Sequence, residues 1–473
     1  MKKRHNQTAF IAGSPFEQTA QKQNISRGIP KDVCKKRLRK AQNAVGTVEN
    51  FFAVIFSYKL TILPLAVFVF FLYLKFAAIG SFNLLSFVSH ARECTYQFYL
   101  CDYSVGFCSR LLIGALFSVL YDSVNLTLIT RWANASLLIC IILQSLLTAL
   151  VMRLALAKTD RLMFLISFLF ILNPLTTLEN APMNGSLDPY IMILFLVWLF
   201  FANTNTATLI APFVSLICMT IHYEYLFTFL PPVLALLLYK FCCAQNKKNR
   251  LINGIGFFST ALSSGGLFIY FVFFAKNFLK LTSDEFYNVM AAKLNITENA
   301  AAKLQNLYNG NLLYRYYFDF YIFGEYEGPA NFGDPKNFLS FLSNYRKAHA
   351  FTGACKTFLP FVLPPLILFA GLWICCMLKE KGIRKLPYLS FIGIMIVLIP
   401  TLIISTDAWR FTAAVLISQF AILFTLYRDS NSVLHDVLHS RVLRNRIAAV
   451  VFFLLCLPYE YWAFAIEPFM LTF

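Results

Sequence analysis

Charge is what this chain has least of. Only 14% of its 473 residues are charged, against about 25% in a soluble domain. That is too little to cover a water-facing surface, which excludes a soluble enzyme. A 58% hydrophobic content equally excludes a disordered chain. Acids are the scarcer sign, 23 against 41 Lys and Arg. No GxGxxG follows a strand, and there is no P-loop, no HExxH and no CxxC pair, so the common nucleotide- and zinc-binding signatures are missing. No internal repeat is apparent, which weighs against an inverted-repeat transporter. The first apolar run begins near residue 51, past the usual place of a cleavable signal peptide, so none is expected.

What the chain does have is length and apolarity. Its mean hydropathy is +0.63, and a helix needs about 20 apolar residues to cross a bilayer. The apolar runs are 60–79, 132–152, 162–178, 189–202, 207–221, 225–241, 253–275, 357–377, 386–405, 411–427 and 447–466. The expected fold is therefore all-α, a polytopic transmembrane bundle of about 11 spans (roughly 10 to 12). It comprises a transmembrane domain over 53–473 behind a basic, disordered segment over 1–52 that includes KDVCKKRLRK (31–40). Two runs, 189–202 and 207–221, are short for a crossing. Pro231 and Pro232 predict a break near the start of the sixth run. Residues 111–130 are long enough to span but carry Asp122 and Asn125 mid-segment.

Charge settles the orientation. With the N-terminus cytoplasmic and 111–130 lying in the interface, one side collects four basic groups of residues. They are Arg153, Lys158 and Arg161; Lys240, Lys247, Lys248 and Arg250; Lys379, Lys381, Arg384 and Lys385; and Arg428, Arg441, Arg444 and Arg446. This is a positive-inside pattern, and making 111–130 a span would invert it. Nearly all of the formal +18 thus reports orientation in a multi-pass inner-membrane protein, and the partner it implies is membrane lipid, not nucleic acid. The outer face receives two long loops, 80–131 and 276–356. The second opens with TSDEFYNVMAAKLNITENAAAKLQNLY, read as one or two helices behind a Ser/Thr/Asp cap. An aromatic stretch, YRYYFDFYIFGEYEGPANFGDP (314–335), follows as an interfacial belt or a ligand groove. Cys94, Cys101, Cys108 and Cys355 fall in these loops, where a disulfide is permitted but not specified by spacing.

Ionisable residues at membrane depth are costly and so are functional candidates. Here they gather at predicted outer ends of spans: Asp102 and Arg110 in CDYSVGFCSR (101–110), Asp188 in NGSLDPY (184–190), His222 and Glu224 in IHYEY (221–225), Asp407 and Arg410 in STDAWRF (405–411). Each has a plain structural alternative. Asp102 could cap a helix near Gly106 or pair with Arg110. Asp188 before Pro189 makes a good N-cap. Asp407 and Arg410 could satisfy one another at i,i+3. Together, however, carboxylates, an imidazole and arginines suit group transfer from a lipid-linked phosphate. A carboxylate can take a hydroxyl proton, and arginine neutralises a phosphate. Carboxylates and His can also hold a divalent cation such as Mg or Mn against it.

This arrangement resembles the GT-C class of membrane glycosyltransferases, through Asp102 in DYSVGFCSR, the interfacial segment 111–130 and the later polar residues His222 and Glu224. The resemblance implies a polyprenyl-phosphate-linked sugar as donor and a role in cell-envelope polysaccharide biosynthesis. It implies Asp102, or Glu224, as catalytic base, with His222 beside it. Arg110 and Arg410 would bind the lipid phosphate, Asp188 and Asp407 would contact substrate, and the long loop would bind the acceptor. The paired first-loop acids of that class are missing, the acid nearest Asp102 being Glu93. The competing readings are a transporter or flippase for a lipid-linked or anionic solute, a surface-polysaccharide polymerase or ligase, and a scaffold.

Overall fold

The computed structural model describes residues 65–71, 97–121, 124–173, 176, 186–282, 285, 289, 292–293, 363–404 and 408–455. Among these there is no strand; the described chain is helical. After a single turn at Gln97–Leu100, the helices are α1 (Leu112–Leu120), α2 (Leu126–Ala157), α3 (Arg161–Leu172), α4 (Asp188–Phe201) and α5 (Asn205–Ile221). A 3-10 turn, Tyr223–Leu226, leads to α6 (Leu230–Cys243) and α7 (Lys247–Ile269), which continues as a wider turn over Tyr270–Phe274. Then come α8 (Leu363–Lys379), α9 (Leu386–Ile404), α10 (Ala408–Arg428), α11 (Ser432–Leu438) and α12 (Arg441–Leu455).

Four of these segments are long and apolar enough to cross a membrane: Thr127–Ala157, Tyr223–Cys243, Lys247–Phe274 and Phe411–Arg428. Shorter apolar helices accompany them at Arg161–Ile171, Asp188–Phe201, Asn205–Ile221 and Leu363–Lys379. Burial orders the bundle. The most apolar stretch of Phe411–Arg428 is 94% buried, that of Lys247–Phe274 only 11%. α10 is therefore the axial helix, and α7 a peripheral one, packed by one face against α5 and α6.

Polar side chains close the helix ends that apolar surroundings would leave costly. Asn125 accepts from the Leu128 amide (2.7 Å) and starts α2. Asp160 caps α3 through Met163 (3.1 Å), Thr204 caps α5 through Ala207 (3.0 Å), and Asn246 caps α7 through Asn249 (2.7 Å). Inside the bundle, Gln419 of α10 accepts from the Trp373 indole (2.6 Å) and donates to the Phe391 carbonyl (2.9 Å), so both ends of its buried amide are satisfied across α8 and α9.

Several boundaries differ from the sequence reading for local reasons. Residues 111–130 do not form one helix. α1 stops at Leu120 because Tyr121 is extended (φ −141°, ψ 126°), and Asn125 begins a new helix. α2 consequently starts six residues earlier than the apolar run suggested. The break expected at Pro231 and Pro232 is present as the start of α6, whose first turn holds the prolines. Asp188 is the first residue of α4, with Leu187 in the cap position and no side-chain cap bond.

Candidate functional site

The hairpin 101–110 docks on the corner where α5 ends, at the end of the bundle that the charge pattern predicts to be outer. The Ser109 hydroxyl donates to the Met219 carbonyl (3.2 Å) and accepts from the Tyr223 amide (2.9 Å). The Arg110 amide donates to the Thr220 carbonyl (3.0 Å). Arg110 itself has φ +74°, a left-handed conformation that non-glycine residues seldom adopt. That turn aims the side chain at the 3-10 turn and away from Asp102.

Arg110 is therefore joined to Glu224, not to Asp102. Its Nη2 lies 3.4 Å from Glu224 Oε1, and its guanidinium carbon sits 5.2 Å above the Tyr223 ring, in cation–π range. On the other side of the carboxylate, His222 Nε2 is 3.5 Å from Glu224 Oε2. His222 Nδ1 accepts the Glu224 backbone N–H at 3.0 Å, so the ring caps the 3-10 turn and its proton is on Nε2, facing the carboxylate. Arg110 and His222 side chains are only 2% and 3% exposed, whereas Glu224 is 19% exposed. A buried cation and a buried imidazole thus back a carboxylate that reaches the surface.

Asp102 belongs to a second cluster. Its Oδ1 accepts from the Ser104 amide (2.8 Å), and its Oδ2 from the Ser118 hydroxyl (2.8 Å) and the Lys293 ammonium (2.5 Å). Burial disfavours its charge, but the bonds from Lys293, Ser104 and Ser118 outweigh this and hold its pKa well below the ordinary carboxylate value. Residues 101–110 contain no helix for Asp102 to cap. Lys293 also donates to the Leu100 carbonyl (2.8 Å) and to Ser118 (2.7 Å).

Lys293 was not singled out by sequence. A lysine in the helical pattern AAKLNI reads as a solvated face. The signal that could have found it is the start of its segment: Thr282 and Glu285 form a reciprocal capping box, with Thr282 N to Glu285 Oε2 at 2.8 Å and Glu285 N to Thr282 Oγ1 at 3.4 Å. Two backbone bonds fasten the same segment to the first loop, Lys280 N to Val105 O (2.8 Å) and Val124 N to Lys293 O (3.1 Å). Gly106 (φ +137°), which faces the Phe278 carbonyl, allows this close approach; within the first loop, Gly114 packs α1 against Cys101, whose carbonyl oxygen a Cβ would meet at 1.8 Å.

Asp188 is buried in the first turn of α4, and Ser186 Oγ is 3.4 Å from its Oδ2. Arg410 lies in the first turn of α10; Asp407 falls outside the described residues, as do Cys94, Cys355 and the aromatic stretch 314–335. Cys101 is fully buried and Cys108 is a buried free thiol, which burial pushes up to about 11. Among the described residues no three His, Cys, Asp or Glu side chains converge as metal ligands would. No family model, no curated protein and no solved structure matches this chain.

Proposed function

We propose that this is a multi-pass inner-membrane protein of about 11 spans, with a cytoplasmic N-terminus, that transfers a sugar from a polyprenyl-phosphate donor to an acceptor at the outer face. The observation that carries this reading is the Arg110–Glu224–His222 cluster. In it a carboxylate reaches the surface while a cation and a neutral imidazole are sealed behind it. Glu224 takes the proton of the acceptor hydroxyl. The acceptor oxygen then forms its bond to the anomeric carbon as the bond from that carbon to the phosphate oxygen breaks. The lipid phosphate leaves as the anion.

The roles follow from accessibility. Arg110, at 2% exposure, is shielded from a lipid phosphate, so it acts by orienting Glu224. His222 fixes the same carboxylate from the other side. Contact with the phosphate is proposed for Arg410 from its sequence position alone. Both carboxylates face a cation, but Asp102 is bound at 2.5–2.8 Å by Lys293, Ser104 and Ser118, whereas Glu224 is 3.4–3.5 Å from Arg110 and His222. Asp102 is thus the weaker base and serves as the clamp that holds the long loop, the acceptor-binding element, against the first loop. No step is routed through a metal ion. The test is to incubate purified protein with a panel of polyprenyl-phosphate sugars and follow release of free polyprenyl phosphate. Turnover with one donor supports transfer. If no donor turns over and the intact donor instead crosses the bilayer in proteoliposomes, the protein is a flippase.

A further inference from the structure

The peripheral helix α7 carries a feature that glycosyl transfer does not use. A groove of about 650 Å³ runs along α7 beside α6, lined among others by Phe241, Lys247, Arg250, Gly254, Ile255 and Phe258. This volume lies within the usual range for small-ligand sites. Its outward wall is an apolar stripe of Leu251 (65% exposed), Ile255 (54%), Phe258 (60%) and Leu262 (74%), spaced i, i+4, i+7, i+11 so that all four share one helix face. From Lys247 to Leu262 it extends about 22 Å, more than the ~15 Å hydrocarbon depth of one leaflet.

Charge is confined to one end. Lys247 and Arg250 line the groove at the first turn of α7, with Lys248 exposed beside them. Arg250 Nη2 is 3.3 Å from the Ala244 carbonyl, which holds its guanidinium at the mouth, between α6 and α7. No acid occurs anywhere from Tyr225 to Ser283, so nothing in these two helices neutralises the cations. The site therefore has a cationic head and an apolar tail, matching one amphiphile with an anionic headgroup. A second copy of this chain fits less well, because a two-fold pairing of the same faces would bring Lys247 and Arg250 against their own counterparts.

We propose that this groove is a binding site for an anionic phospholipid, with its phosphate on Lys247 and Arg250 and one acyl chain along Gly254, Ile255, Phe258 and Leu262. The proposal is independent of the transferase reading; only the leaflet, cytoplasmic, rests on the orientation given above. It is tested by native mass spectrometry of the purified full-length chain titrated with phosphatidylglycerol or phosphatidylcholine. The wild type is expected to bind phosphatidylglycerol at least about tenfold more tightly. K247Q/R250Q should lose about 10- to 30-fold in phosphatidylglycerol affinity and with it the preference. I255W, which fills the groove from an exposed position and keeps both cations, should lose the tight site as well. Equal binding of both lipids, or unchanged binding in either variant, overturns the proposal. So does a wild-type dimer that I255W makes monomeric, because the occupant is then a second copy.

Discussion

Arg110 and Glu224, 114 residues apart in the chain, meet at 3.4 Å between Nη2 and Oε1. The contact exists because Arg110 adopts a left-handed backbone conformation (φ +74°), which turns its side chain from the first loop onto the end of α5. The strain and the ion pair can be separated. R110A loses the pair and keeps the strained backbone; R110G loses the pair and relieves it. Both variants should be less stable than wild type, and R110G should exceed R110A by about 1 kcal/mol. Thermal melts of the purified variants in one detergent check this. Equal melting points would mean that the conformation carries no strain.

His222 has two jobs that substitution can divide. Its Nδ1 caps the 3-10 turn at Tyr223–Leu226, and its Nε2 faces Glu224. H222A should cost about 1 kcal/mol through the lost cap, while H222N, a good capping residue, should recover most of that stability. Transfer activity should stay low in both, because neither restores the Nε2 contact. If H222N restored activity along with stability, His222 would be a cap and nothing more.

The Asp102–Lys293 clamp should be acid-sensitive. Asp102 has a folded pKa lowered from 3.8, so its contribution to stability is fully present above that value. It is lost progressively as pH falls below about 4. K293M should loosen the long loop already at neutral pH, with faster hydrogen exchange at the Lys280 and Val124 amides, which bond to Val105 and Lys293. Unchanged exchange at both amides would show that the loop is held elsewhere.

Gly114 sets the packing of α1 on the first loop. A Cβ there would meet the Cys101 carbonyl carbon at 2.7 Å as well as its oxygen, and both are backbone atoms that cannot rotate away. G114A should destabilise by at least about 1–3 kcal/mol and, by displacing the 101–110 loop at Cys101, expose Cys108 of the same loop. In the wild type that thiol, raised from 9.0 to about 11 by burial, should alkylate at pH 7 at least about 100-fold more slowly than an ordinary cysteine. Alkylation followed by mass spectrometry reads both expectations, and fast wild-type labelling would contradict them.

Much of the architecture was legible because apolar runs and caps are local signals. The sequence runs near 132–152, 225–241, 253–275 and 411–427 each overlap a helix long enough to cross, and the helical start after Thr282 is present as a capping box. The pairings of the candidate residues were not legible. Asp102 and Arg110 suggested each other by proximity in sequence, yet a single backbone dihedral sends Arg110 to Glu224. Lys293 then takes Asp102 from 191 residues away. Such partnerships depend on tertiary docking, which neither hydropathy nor spacing encodes. The same holds for α2, whose start was misread because one capping asparagine, Asn125, outweighs the polarity of the residues around it.

The transferase proposal stands most directly on Glu224. The decisive measurement is the rate at which polyprenyl phosphate is released from a polyprenyl-phosphate sugar by wild type and by E224Q, with D102N alongside, each verified as folded by its melting temperature. Loss of a general base typically costs 100-fold or more, about 10² to 10⁴. E224Q should therefore fall by that factor while D102N retains measurable turnover. Release by E224Q at the wild-type rate, with D102N inactive, would contradict the assignment of Glu224 as the base and return that role to Asp102.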